Sequence, residues 1–315
     1  MTLTTSVTAR PPVTLPPMPG ERDAARIYPP CEMERARMIE GTLTFDREGG
    51  FGRALAQGFF LVRIPEGVDV APGDRFATHF HEARRGDELD RYRGFRDVDV
   101  PGDYQGYFDR PHDQWENFYI EMNNWAGVLP DDVARLGHQM TDLGISILRA
   151  ILGYLELPEE DWAKVTSGLC DKRGHQMLAF NHFRADKPMR GTKFHRDSGW
   201  VTIVRSVEPG LLGLVDGALH TINPAPGYFI VNFGSSIEVL TERLPQPVRA
   251  NVHGVARTER APGQPDRMSY VVFLDSDLAG SIYQYDGGAP RVVQSVAEFA
   301  VQEVNRTYDG DDLHL

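Results

Sequence analysis

A stripe of apolar residues at spacings of three and four is the clearest helical signal in the first half of the chain. It begins after "LPDD", where Pro130 and two aspartates are typical of a helix start. The stripe consists of Val133, Leu136, Met140, Leu143, Ile147 and Ile151. Because these spacings put the side chains on one face, the pattern predicts a long, half-buried helix that ends near Tyr154.

From about residue 175 the pattern changes to short, β-branched apolar runs separated by Gly, Pro, Asn and Asp. The runs are "WVTIV", "LLGLV", "YFIVNFG", "ANVHGVA" and "MSYVVFL". Such runs are typical of a β-sandwich or barrel. Earlier, "FGRALAQGFFLVRIPEG" predicts a helix end followed by a strand over 59–64. We predict a mainly β protein with flanking helices (α+β), in which a helical N-terminal half packs around a C-terminal β core.

The 315 residues show no internal repeat and no long low-complexity linker. We therefore predict a single domain over 21–315, helix-rich to about residue 170, with the β core over about 175–280. The Pro- and Thr-rich residues 1–20 predict a flexible N-terminal lead-in.

The chain is acidic, with a formal net charge of -12 at pH 7. Nucleic acids and anionic membranes require a basic surface, so neither is an expected partner. Cys31 and Cys170 lie far apart and outside any metal-binding spacing, which predicts reduced thiols in a cytoplasmic protein. A small molecule is the expected partner, and the sequence leaves the oligomeric state open.

The segment "FHRDSGW" places His195 and Asp197 two positions apart in front of a β-like run. Residues i and i+2 of a strand point to the same side, so both side chains can face one interior. Open non-haem iron sites use two histidines and one carboxylate. His253, in the later strand-like run "RANVHGVAR", is the candidate second histidine. Polar side chains at a strand end are the alternative interpretation of the pair.

Arg267 and Ser269, in "DRMSYVVFLD", are also two positions apart on a strong strand pattern. An arginine and a hydroxyl on one side of a strand form a good receptor for a carboxylate. The alternative is a surface arginine at a strand start.

Five segments, taken in order, resemble the Fe(II)/2-oxoglutarate-dependent oxygenases of the isopenicillin N synthase-like family. They are "LAFNHF", "FHRDSGWVTIV", "DGALHTINPAPGYFIVNFGSSIEVLTE", "VHGV" and "RMSYVVFLDSD". Each segment alone is unspecific, but the ordered set over about 175–278 is specific. The resemblance implies a double-stranded β-helix (jelly-roll) core.

The resemblance also implies a site and a reaction. Arg267 and Ser269 would bind the distal carboxylate of 2-oxoglutarate, with Asn181 beside this co-substrate. The implied cofactors are Fe(II), 2-oxoglutarate and O2. Oxidative decarboxylation of 2-oxoglutarate would drive hydroxylation, or a related oxidation, of an amino acid, peptide or specialised metabolite. The iron ligands, which are also the catalytic residues, would be His195, Asp197 and His253.

The sequence departs from the family pattern at several positions. Phe183 replaces a tyrosine that hydrogen-bonds the co-substrate in many relatives, so that contact is absent or supplied elsewhere. Ser235 stands where plant members often have Asp, and Gly254 follows the distal histidine where Arg is usual. These differences indicate a bacterial branch in specialised metabolism and leave the iron ligands unchanged.

A second histidine-rich segment contains His79, His81 and Glu88. It is a near miss to a cupin-type metal motif, because the spacing between His81 and Glu88 is too long. Its many charged residues favour a solvent-exposed face instead.

An aromatic segment over 92–125 precedes the long helix. It is expected either to pack between the two halves or to contact the substrate. The candidate substrate residues, from this segment and from the run after the iron pair, are Tyr104, Tyr107, Phe108, Trp115, Tyr119, Trp200 and Arg205.

The leading prediction is an Fe(II)/2-oxoglutarate-dependent dioxygenase, and two other functions stay open. An iron oxidase that does not use 2-oxoglutarate, of the oxidative cyclase or ascorbate-using type, would also carry an Arg-x-Ser pair. A non-catalytic β-helix binding module is expected to lack an iron ligand, whereas all three are present.

Overall fold

The computed structural model describes residues 28–307, with side chains as far as residue 303. The predicted lead-in over 1–20 lies outside the described residues. Cys31 and Cys170 are both free thiols. Within the described part, every helix is too short or too polar to cross a membrane.

The long helix predicted after Pro130 is present as Asp131–Tyr154, and its whole predicted apolar stripe is buried. The helices are α1 (Gly50–Gln57), α2 (Ala71–His79), α3 (Met122–Val128), α4 (Asp131–Tyr154), α5 (Glu159–Val165), α6 (Ser235–Thr241) and α7 (Val296–Thr307). Gly144 lets α4 approach the sheet closely, since a β-carbon there would lie 2.3 Å from Leu274 Cδ1.

Strands dominate the second half, as predicted. They are β1 (Arg35–Ile39), β2 (Thr42–Phe45), β3 (Phe59–Arg63), β4 (Gly106–Asp109), β5 (Trp115–Glu121), β6 (His175–Phe183), β7 (Thr192–His195), β8 (Val201–Ser206), β9 (Leu211–Val215), β10 (Ala218–Thr221), β11 (Tyr228–Phe233), β12 (His253–Val255), β13 (Arg267–Asp275), β14 (Ser281–Asp286) and β15 (Ala289–Ser295).

Two sheets form the core. The major sheet has the strand order β2-β1-β3-β11-β8-β13-β6-β5-β4, and the minor sheet has the order β10-β9-β12-β7. Residues of both sheets line one cavity, so the sheets face each other across it. This is the predicted two-sheet jelly roll.

The N-terminal half is more mixed than its predicted helical character, because it also contributes β1 to β5. β3 pairs with β11, and β5 pairs with β6, so N-terminal strands extend both sides of the major sheet. The aromatic segment over 92–125 supplies β4 and β5. Its period-2 alternation puts aromatic side chains on both faces of the sheet.

The two faces of the major sheet have different surroundings, as the residues of β13 show. Arg267, Ser269 and Val271 line the cavity. The alternate residues Tyr270 and Val272 are fully buried in the main hydrophobic core, which also contains the apolar face of α4. The helices therefore anchor one face of the sheet and leave the other face for the cavity.

Glu116 on β5 is a fully buried carboxylate on the face away from the cavity. Its Oε1 lies 2.8 Å from His182 Nδ1, and its Oε2 accepts hydrogen bonds from Tyr107 Oη and from Arg96 Nη2 at 2.8 Å. Arg184 Nη1 lies 3.3 Å from the same oxygen. Burial opposes ionisation, but His182, Tyr107 and Arg184 outweigh it and lower the pKa of Glu116 to about 2.

We predict that Glu116→Gln lowers the free energy of unfolding at pH 7 by about 3 kcal/mol, because it leaves the largely buried Arg184 and the half-exposed Arg96 without their buried carboxylate. The Glu116 pKa is depressed in the folded state. Its stabilisation is therefore complete above the ordinary pKa of 4.5 and is lost as the pH falls toward 2. Urea unfolding at pH 7, 4 and 3 should show the difference from wild type shrinking with acidity. The exposed Glu66→Gln is the control, and an equal loss in both variants would contradict the role of Glu116.

Candidate active site

His195, Asp197 and His253 converge at one end of the minor sheet. β7 and β12 are antiparallel neighbours, and His195 and His253 lie directly opposite each other in their register. Asp197 follows the end of β7, and its Oδ1 lies 3.7 Å from His195 Nε2 and 3.6 Å from His253 Nε2. The structure thus brings the three predicted ligands together with their donor atoms facing one point.

Backbone carbonyls fix the two histidine rings. His195 Nδ1 lies 3.0 Å from the Lys193 carbonyl, and His253 Nδ1 lies 3.2 Å from the Asn251 carbonyl. A carbonyl oxygen only accepts hydrogen bonds, so the Lys193 contact puts the hydrogen of His195 on Nδ1 and leaves its Nε2 lone pair for a metal. The Asn251 carbonyl favours the same tautomer of His253, whose Nδ1 also lies 3.2 Å from Asn232 Nδ2.

Two side chains of the major sheet orient Asp197. Thr202 Oγ1 on β8 donates to Asp197 Oδ2 at 2.6 Å, and Asn232 Nδ2 on β11 donates to the same oxygen at 3.0 Å. Both donors bind Oδ2, so Oδ1 is left toward the histidines. The carboxylate is therefore held by both sheets at once.

A close backbone crossing holds the loop that carries Asp197. The Ser235 N–H donates to the Asp197 carbonyl at 2.8 Å. A β-carbon on Gly234 would lie 2.2 Å from the Gly199 carbonyl oxygen, so glycine is required at the crossing.

The protonation states of His195 and Asp197 suit metal binding. Burial lowers the pKa of His195, and the neighbouring His253 lowers it further. Burial opposes the charge of Asp197, but the two histidines and the hydrogen bonds of Thr202 and Asn232 lower its pKa. Neutral imidazoles and an ionised carboxylate are the forms that bind metals. Two nitrogens and one oxygen on one side of a point match the donor set of non-haem Fe(II) sites.

The ligands open into a cavity of about 860 Å³ between the sheets, a volume typical of small-molecule sites. Arg267 and Ser269 line the same cavity, as their i, i+2 spacing predicted. Arg267 is 2% exposed. Its Nε donates to the Pro209 carbonyl at 3.1 Å and its Nη2 to Ser206 Oγ at 3.3 Å.

Arg267 Nη1 has no hydrogen-bond partner among the described residues. Burial lowers the pKa of Arg267 to about 10, which still leaves it cationic at neutral pH. A buried guanidinium with an unused donor favours an anion in the cavity.

Asn181 lies beside this arginine and serine, as predicted. Its Oδ1 accepts a hydrogen bond from Trp115 Nε1 at 2.8 Å, and its Nδ2 points to Ser269 Oγ at 3.4 Å. Trp115 therefore fixes which end of the amide faces Ser269.

The substrate candidates separate into two groups. Tyr104, Phe108, Trp115 and Tyr119 line the cavity. The other three lie outside its lining: Tyr107 bonds to Glu116, Trp200 Nε1 donates to Ser276 Oγ in the core, and Arg205 pairs with Asp74 at 2.9 Å. For Tyr107 and Arg205 the reason is strand parity, which turns them away from the interior.

The charged part of the histidine-rich segment is exposed over 83–88, as predicted, whereas His81 is only partly exposed. His81 stacks on His182, with ring centroids 3.7 Å apart and ring planes at 13°. His81, Glu116 and His182 form a second His/Glu cluster with closely spaced ligand atoms. The two stacked rings lie in nearly parallel planes, and an imidazole lone pair lies in its ring plane, so the two histidines are poorly oriented for one shared ion. Arg96 and Arg184 already neutralise Glu116. The cluster is a buried ionic and stacking contact.

Sequence reasoning missed three polar cavity residues on β8 and β11. Thr202 and Asn232 orient Asp197, and Ser206 contacts Arg267. Thr202, Val204 and Ser206 recur with period 2 and all line the cavity, so strand parity was the available signal.

Comparisons with known proteins agree with this geometry. Residues 174–276 match the family model of the 2OG-Fe(II) oxygenase superfamily. Gibberellin 3-beta-dioxygenase 4 of Arabidopsis thaliana is 25% identical over 212 residues, which cover 64% of this chain and 56% of that protein. The chain thus spans little more than half the length of this relative.

Solved structures share the fold over most of the chain. The structure of JOX2 in complex with 2OG, Fe and JA superimposes with a TM-score of 0.67 at 18% identity, covering 95% of this chain and 96% of JOX2. The dioxygenase for auxin oxidation from rice gives a TM-score of 0.64 at 19% identity, covering 87% and 95% of the two chains. The matching core segment and the converging ligands make this chain similar to the 2OG-Fe(II) oxygenase superfamily over residues 174–276.

Proposed function

We propose that this protein is an Fe(II)/2-oxoglutarate-dependent dioxygenase that hydroxylates a C–H bond of a small molecule. In that reaction, substrate, 2-oxoglutarate and O2 give hydroxylated substrate, succinate and CO2. One observation carries the proposal: the buried guanidinium of Arg267 and the three ligand side chains face the same cavity.

The residues would divide the work between the two ends of the cavity. His195, Asp197 and His253 would hold Fe(II), which supplies the redox chemistry that activates O2 when bound. Arg267 and Ser269 would bind the distal carboxylate of 2-oxoglutarate and thereby orient its 2-oxo acid end toward the metal.

The remaining cavity wall supports a substrate that carries both signs of charge. Arg110 is 7% exposed, and its guanidinium carbon lies 5.1 Å from the centroid of Phe108 and 5.3 Å from that of Trp115. Glu121 and Asp275 line the same cavity. A cationic side chain packed on aromatic rings and two acidic side chains in the same lining fit an amino acid or a peptide better than a neutral hydrocarbon. A place in cytoplasmic, specialised metabolism stays a prediction from the sequence.

We predict that His195→Ala and Asp197→Ala abolish metal binding while leaving the fold intact. Thr202→Val should weaken binding about tenfold, because Asp197 loses a hydrogen bond that orients it. Titration with Co(II), followed by its visible absorption, measures the affinity without turnover. The exposed His112→Ala is the matched control. Wild-type affinity in either ligand variant would exclude the assigned centre.

We predict that Arg267→Ala weakens 2-oxoglutarate binding about 10- to 100-fold. This factor corresponds to the free energy that hydrogen bonds to a charged group contribute to binding. Arg267→Lys should recover part of the loss, since lysine keeps the charge without the planar fork. Anaerobic titration of the Fe(II) protein, followed by the visible charge-transfer band of the bound 2-oxo acid, gives the dissociation constant. The exposed Arg291→Ala should bind like wild type.

The same titration separates the proposed enzyme from its alternatives. A protein that binds iron but develops no band with 2-oxoglutarate would be an iron oxidase of the 2-oxoglutarate-independent type. A protein that binds no metal would favour a non-catalytic module. If the band appears, succinate release in a screen of amino acids and peptides identifies the substrate, and neutral analogues serve as the comparison.

A further inference from the structure

The end of the cavity that contains Arg267 holds a hydroxyl group not yet given a role. Ser206 is the last residue of β8 and lies directly opposite Ser269 of β13 in the strand register. Ser206 is 4% exposed and Ser269 is 5% exposed, and both line the cavity. Directly opposed residues have β-carbons about 5 Å apart, so two such hydroxyls can reach one small anion.

Ser206 is already part of the arginine's environment. Its Oγ accepts a hydrogen bond from Arg267 Nη2 at 3.3 Å and donates to the Glu208 carbonyl at 3.0 Å. A hydroxyl rotates freely about its C–O bond, so its single hydrogen can turn from a neutral carbonyl to a charged acceptor. A charge-assisted hydrogen bond is roughly twice as strong as a neutral one, which favours that rotation when a carboxylate is present.

On the other side of β13, the residue paired with Arg267 offers no hydroxyl group. Phe183 lies across from Arg267 in the register of β6 and β13, and its ring centroid is 4.6 Å from the guanidinium carbon. The ring covers one face of the guanidinium and has no hydrogen-bonding atom. An ionised carboxylate has about four acceptor positions, more than Arg267 and Ser269 alone satisfy.

We infer that Ser206 is a third binding residue for the distal carboxylate of 2-oxoglutarate, together with Arg267 and Ser269. The inference rests on the proposed function. In the bound state the Ser206 hydroxyl donates to the carboxylate, while its oxygen still accepts from Arg267. The receptor is then built from two neighbouring strands, with Phe183 as an apolar wall.

The test compares two 2-oxo acids. 2-Oxoglutarate carries the distal carboxylate, and 2-oxobutyrate has the same 2-oxo acid group without it. Both are titrated anaerobically into the Fe(II)-loaded protein, and the charge-transfer band reports binding without turnover. For Ser206→Ala we expect about tenfold weaker binding of 2-oxoglutarate and unchanged binding of 2-oxobutyrate. Ser146→Ala on α4 is the control and should change neither.

A second comparison separates direct contact from an effect through the arginine. If Ser206 only holds Arg267 in place, Ser206→Ala has no further effect in an Arg267→Ala background. Direct contact predicts that the double variant binds 2-oxoglutarate more weakly than Arg267→Ala alone.

Each outcome has a definite meaning. Equal losses for both 2-oxo acids, no loss for 2-oxoglutarate, or no further loss in the double variant would overturn the role of Ser206 while the proposed function stands. A wild-type protein that binds iron but binds 2-oxoglutarate no more tightly than 2-oxobutyrate would overturn the proposed function, and the role of Ser206 with it.

Discussion

The direct cross-strand pair of His195 and His253 is the contact on which the site depends. It fixes both imidazoles at one end of the minor sheet, where the chain after β7 brings Asp197 beside them. The carboxylate is then held from the major sheet, by Thr202 and Asn232. The three donor atoms therefore converge only when the minor and major sheets are correctly positioned against each other. The rest of the fold keeps the two sheets in that position.

Maintaining it has an energetic cost, because the cavity buries charges at both ends. Removing a carboxylate or a guanidinium from water costs several kcal/mol unless hydrogen bonds replace the lost hydration. Asp197 recovers much of this cost from its two donors, whereas Arg267 keeps one donor unused. Locally unfavourable features are expected where a ligand binds, and the unused donor of the buried Arg267 is such a feature beside the cavity.

Local periodicity was enough to predict the elements that carry the site, but not all of their contacts. The apolar stripe defined α4, and the i, i+2 spacing of Arg267 and Ser269 correctly predicted a shared face. The same parity, applied to β8 from Thr202, assigns Ser206 to the interior and Arg205 to the exterior. The roles of Thr202 and Asn232, and the stacking of His81 on His182, depend on register and on contacts between distant segments, which no single strand pattern contains.

The two ends of the cavity differ in whether their residues lie within the segment that matches the family model. The proposed metal ligands, together with Arg267, Ser269 and Ser206, lie on or beside strands within residues 174–276, the segment that matches the family model. Tyr104, Phe108 and Arg110 precede this segment in the chain. Helix α7 follows the segment and also lines the cavity. Similarity to known oxygenases therefore concerns the iron and co-substrate end. The other end is lined by residues on or beside β4, β5 and α7, which lie outside that segment.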